Sequence, residues 1–75
     1  MSNVPQIGEL VTVTIRRRTV TGVLCGNDHS RSIRLPSGTV AAELAWVKSV
    51  WREPRLCISG WSGGQPCEWV VTLAR

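Results

Sequence analysis

The sequence predicts an all-β fold: a small, strongly bent antiparallel barrel of five or six strands, with at most one short helical turn near residues 45–47. Three observations point there. β-Branched residues alternate with polar ones from Glu9 onward, a glycine interrupts the partner strand at Gly22, and turn sequences divide the chain into six short strands, as in small sandwiches and barrels. At 75 residues the chain is long enough for one domain and too short for two cores. Residues 1–8 read as an N-terminal arm, and residues 9–75 as the barrel.

The first strand carries Val11, Val13 and Ile15 on one face and Thr12, Thr14 and Arg16 on the other, the period of a half-buried strand. After Arg16-Arg17-Arg18 the alternation resumes with Val20, Gly22 and Leu24, which makes the segment a hairpin partner. A glycine in mid-strand removes a side chain where a sheet bends or another backbone comes close. Cys25 to Ser30 is a polar turn, Arg31 to Leu35 a short strand, and Pro36-Ser37-Gly38 a further turn.

The next segment fits two patterns. Val40, Ala42, Leu44 and Trp46 alternate as a strand does, whereas Val40, Leu44 and Val47 have helical spacing. We read a strand from Thr39 to about Leu44, then a helical turn over Ala45–Val47. Beyond Arg52-Glu53-Pro54, Leu56, Ile58 and Gly60 share a face. Ser62-Gly63-Gly64-Gln65 suits a tight hairpin, and Glu68 to Leu73 returns with Trp69, Val71 and Leu73 in phase.

The stretch from Arg17 to Leu35 resembles the first signature of the Sm-like family, whose small barrels assemble as rings and bind RNA. Gly22 takes the second glycine of that signature, Leu24 its hydrophobic position and Asp28 its acidic one. Ile33 and Leu35 fall where apolar residues of the next strand belong. Arg17, Asn27 and Ser32 depart from the pattern, at the first glycine, the aromatic and the base-contacting Asn respectively. The resemblance therefore implies a barrel of Sm-like or Src-homology-3 type more than it implies RNA binding, because a fold does not fix a function.

Composition narrows the chemistry. Nine basic residues, of which eight are Arg, outnumber five carboxylates, for a net charge of +4. Abundant Arg, Gly and Trp, residues with GC-rich codons, with no Phe or Tyr suggest a GC-rich source such as an actinobacterium or its phage. A single His and no nucleophile at a recognisable spacing argue against an enzyme. Asp28-His29 in a polar turn reads as a solvated loop. Cys25, Cys57 and Cys67 with His29 have poor spacing for zinc, so the cysteines read as small hydrophobes, although Cys57 and Cys67 on one hairpin could also be bridged. We expect no metal or cofactor. With no apolar run of membrane-spanning length and no leader pattern, the expected location is cytoplasmic, the host cytoplasm or a virion if the chain is phage-encoded.

Function is then expected from surfaces. Without Phe or Tyr, the four tryptophans are the only aromatic bulk. Trp69 is in phase with the core, and Trp51 and Trp61, with Val50 and Val70 nearby, are the candidate protein interface. The leading expectation is a non-enzymatic barrel acting through protein contacts, by self-association or with a protein partner, in an oligomer or larger assembly. The alternative is an Sm-like module for RNA or DNA, with Arg16, Arg17, Arg18, Arg31 and Arg34 on phosphate and an exposed Trp for stacking.

This register makes a testable separation. Trp69→Ala should cost about 3–5 kcal/mol, comparable with the whole stability of so small a domain, and Trp61→Ala should change folding by no more than about 0.5 kcal/mol. Urea titration followed by circular dichroism measures both.

Overall fold

The structure, a computed structural model, describes residues 4–74, with the side chain of Trp46 left outside that description. Strands β1 (Leu10–Ile15), β2 (Arg18–Gly26), β3 (Ser30–Arg34), β4 (Val40–Arg52), β5 (Arg55–Ser62) and β6 (Gln65–Leu73) follow one another around a closed antiparallel barrel. β1 meets both β2 and β6, with Val13 opposite Val20 on one side and Val71 on the other.

Period-two patterning decides what enters the core. Val11 and Val13 of β1, Leu24 of β2, Ile33 of β3, Leu44 of β4, Ile58 of β5 and Cys67, Trp69 and Val71 of β6 are buried together. Trp69 is the largest of the fully buried side chains, flanked in register by Ile58 and Ile15. Its indole N–H has no hydrogen-bond partner among the described residues. Leaving a buried donor unpaired costs about 1–3 kcal/mol, and the apolar area of a whole indole offsets that cost.

The helical turn expected over residues 45–47 is absent. β4 runs unbroken from Val40 to Arg52, and its register shifts between Ala45 and Lys48. That shift explains the misleading spacing. A bulge inserts an extra residue, so inward-facing positions pass from Ala42 and Leu44 to Val47, and a bent strand reproduces a helical interval. The bend also lets the first part of β4 pair with β3 and the second part with β5.

Two turns show the same local logic. Gly63 and Gly64 both take positive φ, 61° and 79°, in the two-residue loop between β5 and β6. Gly22 is needed for space: a β-carbon there would lie 2.7 Å from the carbonyl oxygen of Arg34 and 2.8 Å from Cγ2 of Ile33. Residues 4–8 of the arm cross the opposite end of the barrel, where Pro5 is buried and the Gly8 amide donates to the Leu24 carbonyl at 2.7 Å. The remainder of the arm, residues 1–3, lies outside the described residues.

Gly22→Ala should therefore destabilise the protein by about 1–3 kcal/mol through overpacking against β3. A lowered urea midpoint with an unchanged slope is the expected reading.

Candidate functional site: the outer wall of β4, β5 and β6

Side chains that point away from the core on the last three strands fall into cross-strand rows, because directly paired residues share a face. Val50 pairs with Cys57, which pairs with Val70. Lys48 pairs with Ser59, which pairs with Glu68, and Ala45, Trp61 and Pro66 form the row above. Val50 is 41% exposed and Trp61 47% exposed, large values for apolar side chains on a sheet face. Around Trp61 lies a groove of about 470 Å³, bordered by Lys48 and Ser59 on one side and Pro66 and Glu68 on the other. The Ser59 hydroxyl donates to the Lys48 carbonyl at 3.3 Å, tying β5 to β4 where the register has shifted.

The wall thus unites three of the four residues that sequence reasoning assigned to an interface. Val50, Val70 and Trp61 share it, and Trp69 lies on the inner face of the same hairpin. Trp51 does not join them. It pairs with Leu56, which packs against the core, so Trp51 follows the inward-facing positions at the far end of β4 and is half-buried. Sequence reasoning missed Lys48, Pro66 and Glu68, which no local motif marks; the register alone brings them beside Trp61.

The arginines do not gather on one face. Consecutive antiparallel strands place the β1–β2, β3–β4 and β5–β6 turns at one end of the barrel and the remaining turns at the other. Arg16, Arg17 and Arg18 form the tip of the β1–β2 hairpin. Arg34 donates through Nη1 to the Gly38 carbonyl at 3.0 Å, closing its own turn. Arg31 lies toward the other end, opposite Gly26, with Nη1 donating to the Ser30 carbonyl at 3.3 Å. No Trp with a described side chain lines the hollow beside Arg16, Arg17 and Arg18.

Among the described residues, no group of three or more His, Cys, Asp or Glu is placed to hold a metal. The bridge considered for Cys57 and Cys67 does not form. Both thiols are free, because Cys57 pairs with Val70 on the outer face while Cys67 is buried with the core on the inner one. His29 is exposed in a turn organised by Asn27, whose Oδ1 accepts from the amides of His29 at 2.8 Å and Ser30 at 3.1 Å. The backbone there has a structural job, and among the described residues no hydrogen bond orients the imidazole.

Comparison with family models, characterised proteins and solved structures gives no match. What stands of the Sm-like resemblance is the small closed antiparallel barrel. No helix among the described residues is long and apolar enough to cross a membrane.

One local strain is open to test. Arg16 holds φ at 57°, a left-handed conformation that costs an L-residue with a side chain about 1–2 kcal/mol. After the extra chain entropy of glycine, Arg16→Gly should raise stability by about 0.5–1 kcal/mol, read as a higher melting temperature.

Proposed function

We propose that this chain is a non-enzymatic protein-contact module that self-associates through the outer wall of β4, β5 and β6. The observation that carries the reading is the juxtaposition of Trp61, Pro66, Val50, Cys57 and Val70 on one face, with Lys48 and Glu68 at equal distances on either side of Ser59. Aromatic anchors inside a patch with a polar border are what protein interfaces place at their centre.

The charge pattern favours a second copy as the occupant. In a two-fold interface, residue i of one subunit meets residue j of the other, and the reverse contact follows by symmetry. With the axis near Ser59, Lys48 of one copy faces Glu68 of the other twice over, and the Trp61 grooves close on each other. Adjacent strands are about 4.8 Å apart, so Lys48 and Glu68 stand roughly 10 Å from one another within a subunit, the spread of one such contact.

Native mass measurement and sedimentation at micromolar concentration test this directly. The expected result is an assembly larger than 8.2 kDa that reverts to the monomer in Trp61→Ala, with the β-sheet spectrum unchanged. Lys48→Glu should weaken the assembly and Lys48→Glu with Glu68→Lys should restore it. A wild-type monomer under these conditions, or an assembly indifferent to Trp61, would overturn the reading.

A further inference from the structure

The arginine tip has a feature separate from the wall. β2 pairs with β1 along Arg18–Val23 but with β3 only along Val23–Gly26, so among the described residues Arg18–Thr21 pairs with no strand on its second side. The direction of the backbone there follows from the ladder. Leu24 donates its amide to the Glu9 carbonyl, which makes Glu9 and Leu24 a hydrogen-bonded pair. Hydrogen-bonded and non-bonded pairs alternate in an antiparallel ladder. Val11 with Gly22, Val13 with Val20 and Ile15 with Arg18 are therefore bonded pairs, and Thr14 with Thr19 and Thr12 with Thr21 are not. The N–H and C=O groups of Thr19 and Thr21 consequently point away from β1, along the open edge.

Arg18, where this edge begins, borders a hollow of about 580 Å³ at the barrel mouth. Arg16, Arg17 and Arg18 line it with the small or apolar Ile15, Ala41, Ala42 and Cys67 and with the polar Ser62 and Gln65 of the β5–β6 hairpin. The carboxylates of the chain are elsewhere: Glu9 at the arm, where Oε1 accepts from the Gln6 amide, Asp28 and Glu53 in turns of the opposite end, and Glu43 and Glu68 on the outer faces of β4 and β6. An open edge with unneutralised guanidinium groups repels another strand of a net-cationic chain and attracts an anionic one.

We propose that the edge Thr19–Thr21 receives an extended acidic peptide segment of a protein partner as an added strand, its carboxylates held by Arg16, Arg17 and Arg18 and its apolar side chains over the hollow. Strand addition supplies main-chain hydrogen bonds, and the arginine forks supply the selection for carboxylate. A single-stranded nucleic acid shares the negative charge but not the fit. Beside the arginines the hollow is lined by aliphatic side chains, a thiol, Ser62 and Gln65, with no aromatic ring for base stacking, and the open groups of Thr19 and Thr21 are spaced for a polypeptide backbone. This site is independent of the wall contact proposed above, and its test does not depend on the oligomeric state.

A short labelled peptide of alternating Val and Glu is the probe, with its Val and Lys counterpart and an oligothymidylate of equal length as comparators, all titrated against the intact chain. The acidic peptide should bind, the basic one should not, and the affinity should fall with added salt. Changing Arg16, Arg17 and Arg18 together to Gln should weaken binding roughly tenfold or more. Thr19→Pro removes an amide from the open side while leaving the β1 ladder intact, so it should weaken binding without changing the sheet spectrum. In the wild type, bound peptide should slow hydrogen exchange at the Thr19 and Thr21 amides, a readout that needs no variant to fold. No binding of the acidic peptide, unchanged exchange at those amides, or tighter binding of oligothymidylate that depends on the same arginines would each overturn the proposal.

Discussion

The pairing of β1 with β6 is the constraint on which the rest of this structure depends. It joins segments from near the two ends of the chain and turns a meander of hairpins into a closed wall. Closure removes the long unpaired edges that would otherwise run the length of a sheet, and it defines an interior of fixed size. That interior must be filled from one side of each strand. Trp69 opposite Ile15 and Ile58 supplies the bulk, at the cost of an unpaired indole N–H. A barrel of this size accepts that cost because a smaller side chain in the same place would leave a cavity, and cavities penalise the remaining contacts as well.

Closure also accounts for the departures from regularity. A closed sheet has to curl, and it curls at Gly22, where β3 comes too close for a side chain, and at the register shift in β4. The shift changes which residues of β4 face outward. Without it, the alternation begun at Ala42 and Leu44 would turn Lys48 inward and Val47 outward, and the wall around Trp61 would lose its basic border. The same irregularity that bends the barrel thus composes its candidate interface.

Charge is distributed with equal consequence. The hairpin tip concentrates Arg16, Arg17 and Arg18 at one end, while Glu9, Asp28 and Glu53 lie toward the other and Lys48 and Glu68 balance each other on the wall. The two surfaces therefore differ in kind. The wall is largely apolar with one Lys and one Glu at its borders, and the tip is cationic.

The sequence by itself determined the fold class, the hairpins around Arg16-Arg17 and Gly63-Gly64, and the opposite facing of Trp61 and Trp69, because period-two alternation and tight turns are local properties of the backbone. Gly22 was legible as a bend for the same reason. The run of β4 through residues 45–47, the inward turn of Trp51, the separation of Arg31 from the tip, and the meeting of Lys48 with Glu68 were decided only in the tertiary structure. Each depends on which residue of one strand lies opposite which residue of another. One inserted residue in β4 reverses that facing for everything after it, and nothing in the local pattern of Ala, Leu and Val distinguishes such an insertion from a turn of helix.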